Sequence, residues 1–234
     1  MIGTAVNAAA IVAGSAVGIL VARLSRSGDI SKSPVFDSVR KILGLACVVL
    51  GIQMAMKEHE FLPVVLSLVI GTFLGELINI EKQVDRFGTF LKRVSRSKSE
   101  SFVGGFVNAS VLYCVGAAAV VGSIQDGLLN DPSLLYVKSL FDGVIAIIFA
   151  GAMGIGVAFS AIPILIYQGA MTLGASKLSF MLENEVYING ISVTGGILVL
   201  AIGLNITELT KLRVGNMLPA IALIPVFDRI MMSL

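Results

Sequence analysis

The chain has 234 residues, 56% of them apolar and 14% charged, with a mean hydropathy of +0.93 and a net charge of +2. A soluble domain carries about 25% charged residues, because water must wet its surface; most of this chain is therefore built to contact lipid. The small net charge, with no basic patch interleaved with exposed aromatics, argues against a nucleic-acid partner.

Apolar stretches long enough to cross about 30 Å of hydrocarbon fall at roughly 2–22, 40–56, 61–80, 103–123, 139–157, 159–178, 190–206 and 216–233. The expected fold class is all-α, a single polytopic membrane bundle of about eight helices over residues 1–234. The first stretch, MIGTAVNAAAIVAGSAVGILVARLSR, has no Lys or Arg before its apolar core. That core is long enough to span, so it reads as a retained helix and not a cleaved signal. The uninterrupted region 139–178 is too long for one crossing. Gly154, Gly156 and Pro163 supply its turn, since glycine permits unusual backbone angles and proline breaks the hydrogen-bond ladder.

Positive residues are held on the cytoplasmic side of a membrane. Arg23, Arg26, Lys32, Arg40 and Lys41 lie between spans 1 and 2; Lys82, Arg86, Lys92, Arg93, Arg96 and Lys98 between spans 3 and 4; Lys211 and Arg213 between spans 7 and 8. Only Lys57, Lys138, Lys177 and Arg229 fall on the other side. Both termini are expected outside, with the basic loops facing the cytoplasm. The basic connector 81–101 repeats Phe87, Phe90, Leu91 and Val94 at helical spacing, as an interfacial amphipathic helix does; an ordinary cytoplasmic connector is the simpler reading.

Two segments nearly repeat. GLACVVLGIQ begins at Gly44, and GILVLAIGLN begins at Gly196. Each has a Gly, six apolar residues, a Gly (Gly51, Gly203), an aliphatic residue and a carboxamide (Gln53, Asn205). Each is followed by a short charged turn and a Leu-Pro pair, Leu62-Pro63 and Leu218-Pro219. The copies sit in spans 2 and 7, which run in opposite directions. Spans 1–3 (residues 1–80) and 6–8 (159–234) are thus expected to form an inverted repeat, with spans 4 and 5 (103–157) linking them. Such repeats recur in secondary transporters, whose sites lie near the midplane between the halves.

Polar side chains inside apolar spans need partners or a function. Gln53 and Asn205 are expected to converge near the repeat axis and line a site for a small solute or ion. Asn7, Asn108 and Gln168 are further candidates, for which interhelical hydrogen bonding is the plainer role. Lys138 and Asp142, four residues apart, should share a helix face; a local ion pair near the interface is the main reading, and Asp142 is also a candidate coupling carboxylate. Asp126 and Asp131 read as turn formers, and Asp228 and Arg229 as a boundary marker. Gly14 and Gly18, and Gly71 and Gly75, have the spacing that permits close helix packing, within the chain or between copies. Pro163 and Pro225 are candidates for helix breaks.

Cys47 and Cys114 sit in apolar runs with no ligand-spaced partner, and the only histidine, His59, lies in the charged KEHE turn. No metal, cofactor or catalytic set is expected, and the chain is not expected to be an enzyme.

GTAVNAAAIVAGSAVG, YCVGAAAVVGSIQDGL, KSLFDG, GIGVAFSAIPILIYQG and VGNMLPA together resemble the bacterial membrane proteins of domain-of-unknown-function family 554, over essentially the whole chain. The resemblance implies an integral, multi-pass protein of the bacterial cytoplasmic (inner) membrane and carries over no catalytic or binding residues. The residues themselves suggest a small transporter or channel-like carrier for a neutral solute or monovalent ion, with a homodimer favoured by closed symmetry. A membrane scaffold that binds a partner is the alternative.

Overall fold

A computed structural model of the chain describes residues 1–24 and 34–233; Arg26 and Lys32 lie outside the described residues. Among the described residues, fourteen short and long helices follow in order and no strand occurs. The spans begin with α1 (Ile2–Leu24), α2 (Pro34–Ala55) and α3 (Phe61–Ile78), followed by the connector helix α4 (Ile80–Val94). Next come α5 (Phe102–Cys114), α6 (Ala117–Leu128), α7 (Ser133–Met153), α8 (Gly156–Phe159) and α9 (Ala161–Leu173). A turn α10 (Ala175–Leu178) and a short 3-10 helix lead to α11 (Glu185–Ile206), α12 (Val214–Met217) and α13 (Pro219–Met231).

Six of these segments are long and apolar enough to cross a membrane, seven if the pair α5–α6, bent by 63°, is one broken span. The remaining expected span falls in α2, which carries Asp37, Arg40 and Lys41 near its start and is apolar from Ile42 onward. Packing directions agree with eight alternating crossings. Gly3 lies against Leu135, Gly14 against Gly143 and Gly18 against Ile147, so α1 and α7 run parallel. That requires an odd number of crossings between them, which α2, α3 and the bent α5–α6 supply. If α5–α6 returned to its own side, α7 would run antiparallel to α1.

The two similar segments pack on each other. A Cβ built on Gly44 would stand 2.9 Å from the Gly203 carbonyl oxygen, and one on Gly203 2.6 Å from the Gly44 oxygen. Gly51 and Gly196 answer each other in the same way, each 2.7 Å from the other's oxygen. Each first-copy glycine therefore faces the opposite glycine of the second copy. Only absent side chains let backbones approach so closely.

The remaining small-residue pairs are also used inside the chain. A Cβ on Gly14 or Gly18 would collide with the Gly143 or Ile147 carbonyl of α7, while one on Gly71 or Gly75 would collide with backbone of Ala220 or Asn216. α11 is the central helix, with 72% of its apolar window buried. Around it α2, α3, α12 and α13 form one group; α1, α5–α6, α7 and α8–α9 form another. Large apolar residues such as Val12, Leu20, Val49, Phe73, Leu140 and Ile166 face outward, as a lipid-facing surface requires.

The breaks have identifiable local causes. Gly154 takes φ 82° between α7 and α8, a conformation open chiefly to glycine, so the expected turn lies there. The α8–α9 junction falls at Ser160, which puts Pro163 in the first turn of α9, where its missing N–H forfeits no intrahelical hydrogen bond. Pro225, by contrast, lies inside the continuous α13 and breaks nothing. The break missed in the sequence is at Val115–Gly116, in the middle of the expected span 103–123. α4 packs on α5 through Leu91, through Gly88 beneath Phe106, and through Phe87, whose ring lies 6.0 Å from that of Phe106. Phe90 and Val94 stay exposed.

Candidate functional site

Asn7, Asp142 and Gln168 come from three helices, α1, α7 and α9, and meet in the interior. Close approach of α1 to α7 at Gly14 and Gly18 brings Asn7 within reach. Asn7 Nδ2 donates to Asp142 Oδ2 at 3.0 Å and to Gln168 Oε1 at 3.3 Å, which uses both of its N–H groups. Lys138 Nζ donates to the same Asp142 oxygen from one turn earlier on α7. Asn7 and Gln168 are fully buried; Lys138 and Asp142 are 9% and 5% exposed. The Thr4 and Thr172 hydroxyls meet at 3.5 Å between the same two helices, α1 and α9.

Two atoms of this cluster are left over. Asn7 Oδ1 and Gln168 Nε2 are buried with no hydrogen-bond partner among the described residues. The cluster thus presents one amide acceptor, one amide donor and a carboxylate already shared by a lysine and an asparagine. Unsatisfied polar atoms in a low-dielectric interior are costly, and their concentration around one ion pair marks this as the candidate site. The Tyr113 hydroxyl on α5 is also buried without a hydrogen-bond partner among the described residues. A cavity of about 530 Å³ opens at another place, between the α2–α3 turn and the ends of α11 and α13. A mainly apolar one of about 310 Å³ lies between α5–α6, α9, α11 and α13, where the broken span and Tyr167 reach it.

The expected convergence of Gln53 and Asn205 is not found. Gln53 is exposed on α2. Asn205 is half-buried and holds the loop after α11: its Oδ1 accepts from Thr210 Oγ1 at 2.8 Å and Leu212 N at 2.9 Å, while Nδ2 donates to Leu212 O at 2.6 Å. Antiparallel packing of the two similar segments puts these carboxamides at opposite ends of the α2–α11 pair. Asn108 is half-buried on α5, and none of the cluster's hydrogen bonds reaches it.

Other sequence readings are also corrected. Asp126 is not a turn former: it lies within α6, is 4% exposed, and sits 2.9 Å from the Met1 amino group. Asp131 does begin a turn, its Oδ1 accepting from Ser133 N at 3.0 Å. Asp228 is buried in α13, with His59 Nε2 3.0 Å from its Oδ1. Nothing in the sequence joins those two positions, which are brought together only by the packing of α3 on α13. Glu76, at the end of α3, pairs with Arg213 at 3.0 Å.

Among the described residues, no group of three or more His, Cys, Asp or Glu side chains is arranged to hold a metal ion. Both cysteines are free.

The chain is 31% identical over 231 residues to "Uncharacterized membrane protein YdfK" of Bacillus subtilis, covering 97% of this chain and 95% of that one. It is 35% identical over 230 residues to "Uncharacterized protein YqgA" of Escherichia coli, covering 95% and 94%. No solved structure matches significantly. The profile of the family described as "Protein of unknown function (DUF554)" matches residues 2–228, and the chain belongs to that family as a polytopic helical membrane protein.

Proposed function

We propose that the protein is a small membrane carrier for a neutral polar solute or a monovalent ion, with Asp142 as its coupling carboxylate. The observation that carries this reading is the buried cluster of Asn7, Lys138, Asp142 and Gln168. Ionisable pairs inside membrane bundles are expensive to bury, and they mark ion and proton pathways. The unpaired Asn7 Oδ1 and Gln168 Nε2 suit a solute that both donates and accepts. They also suit an ion coordinated by the amide oxygen and the carboxylate. Protonation of Asp142 would release Lys138 and Asn7 together, so one proton changes two contacts at once.

Two features of the backbone support the carrier over a scaffold. The α5–α6 span is broken at mid-length, and irregular backbone at membrane depth is tolerated where it is buried in protein or lines a cavity. The Gly44–Gly203 and Gly51–Gly196 contacts have the form of a two-fold axis lying across the bundle, as an inverted repeat of 1–80 and 159–234 would place it. The glycine faces on which a partner-binding role would rest are occupied within the chain. The basic loops at 40–41, 82–98 and 211–213 would lie in the cytoplasm of the bacterial cell, with both termini outside.

The test is flux in proteoliposomes. Wild type should accelerate equilibration of at least one member of a panel of small neutral solutes and monovalent ions over protein-free vesicles. Asn7→Ala combined with Gln168→Ala, shown to be folded, should abolish that acceleration. Flux that survives this variant would remove the site from the pathway; no flux for any member of the panel would refute the carrier.

A further inference from the structure

The connector helix α4 lies across one end of the bundle. At its start Glu81 N donates to Asn216 Oδ1 at 2.7 Å, and Glu81 Oε2 accepts from Gly215 N at 3.0 Å, which ties it to α12. Further along, Leu91 packs with Phe102 and Phe106 of α5, and Phe159 at the end of α8 joins that cluster. The helix therefore bridges the starts of two spans, one entered through α5 and the other through α12.

What α4 leaves uncovered is sorted into two stripes. Lys82, Arg86, Thr89 and Arg93 recur at intervals of four, three and four, so they share the face turned away from the buried Gly88 and Leu91. All four are exposed, and with Asp85 and Phe90 they line a shallow cleft of about 300 Å³. Among the described residues none of the three cations forms an ion pair, and neither does Asp85. Phe87, Phe90 and Val94 make the adjoining stripe, 38%, 56% and 64% exposed, with the two rings stacked at 6.4 Å. A plain connector obeying the charge bias needs neither the alignment of unpaired cations nor an apolar stripe beside them. Exposed aromatic and aliphatic side chains at the end of a membrane bundle are stable against acyl chains, and cations one stripe over then stand at headgroup depth.

We propose that α4 is a docking surface for anionic phospholipid headgroups. Lys82, Arg86 and Arg93 meet the lipid phosphates while Phe87, Phe90 and Val94 enter the acyl boundary. Charge complementarity selects the occupant: the cleft sets three cations against one carboxylate, and two of the cations are guanidinium forks that match phosphate oxygens in pairs. The inference needs no transport and stands apart from the Asp142 cluster.

The chain has no tryptophan, so Phe90→Trp places a single fluorophore on the apolar stripe. The full-length Phe90→Trp protein is reconstituted in phosphatidylcholine vesicles that carry an equal mole fraction of either brominated phosphatidylglycerol or brominated phosphatidylcholine, whose bromines quench indole on contact. Both should quench, the anionic lipid with at least about threefold higher relative affinity, since each basic residue near the surface attracts anionic lipid. Adding Lys82→Gln, Arg86→Gln and Arg93→Gln, all at exposed positions, should bring that ratio to about one and leave quenching by brominated phosphatidylcholine unchanged. If the combined variant does not fold, Arg86→Gln alone should give an intermediate ratio. Inorganic phosphate at about 50 mM should lower the ratio no more than sodium chloride of equal ionic strength. The inference is overturned if the two lipids quench equally in the Phe90→Trp protein, if neither quenches, or if the preference survives the glutamine substitutions. A preference lost to phosphate but not to chloride would make this a site for the free ion, and would overturn it too.

Discussion

Gly51→Ala isolates the energy of the α2–α11 seam. The new methyl would sit 2.5 Å from Leu200 N, 2.7 Å from Gly196 O and 2.8 Å from Leu200 Cα. All three are backbone atoms of the central helix, so no side chain can rotate away and the helices must separate. Overpacking of this kind costs about 1–3 kcal/mol. Alanine also gains about 1 kcal/mol over glycine in helix propensity, which masks part of the cost. Gly104→Ala on α5 supplies the control, because a Cβ there meets nothing within 4 Å and only the propensity gain remains. The difference between the two variants therefore reads the packing cost alone. At about 2–4 °C per kcal/mol for a chain of this size, Gly51→Ala should melt about 2–12 °C below Gly104→Ala in detergent. Gly196→Ala should behave like Gly51→Ala, and the double variant should lose less than the sum, since one separation serves both methyls. Equal melting of Gly51→Ala and Gly104→Ala would refute the close-packed seam.

Lys138→Met should cost about 3–5 kcal/mol by leaving the Asp142 charge buried and unpaired, and adding Asp142→Leu should recover most of it; thermal melting of the three variants checks this. Asn205→Ala should destabilise by about 1–3 kcal/mol through its three loop bonds, whereas Gln53→Ala should stay within about 0.5 kcal/mol, the reverse of equal roles in a shared site. Burial pushes the Glu81 carboxyl on α4 above its ordinary value of 4.5, against the Gly215 N–H that lowers it. Its folded state therefore prefers the proton, and the charged form costs stability as pH rises past 4.5 through the raised value. Glu81→Gln should accordingly be the more stable protein near neutral pH, with that advantage vanishing as pH falls below 4.5 in melting curves.

Much of the architecture was legible because bilayer thickness and close packing leave direct traces in sequence. The spans follow from length and hydropathy, the Gly154 turn from a residue that tolerates positive φ, and the glycine pairs from their four-residue spacing. Asn7, Asp142 and Gln168 were each visible as polar residues in apolar helices. Their meeting was not, because the lateral order of helices leaves no local mark. Gln53 and Asn205 went wrong for an instructive reason. The antiparallel arrangement that sets Gly44 against Gly203 also sends the carboxamides following Gly51 and Gly203 to opposite ends. Similarity between two segments says that they are alike, not that they converge. The bend at Val115–Gly116 lies in a run as apolar as its neighbours, and the His59–Asp228 contact joins a turn to a helix far along the chain.

The role given to Asp142 is tested most directly by proton counting during flux. Proteoliposomes loaded with a pH-sensitive dye would be given whichever solute or ion wild type moves, and the proton signal compared with that of Asp142→Asn, shown to be folded. Wild type should move protons together with the solute, and Asp142→Asn should lose the proton signal, with or without residual solute movement. Undiminished proton movement in Asp142→Asn would contradict the assignment of Asp142 as the coupling carboxylate.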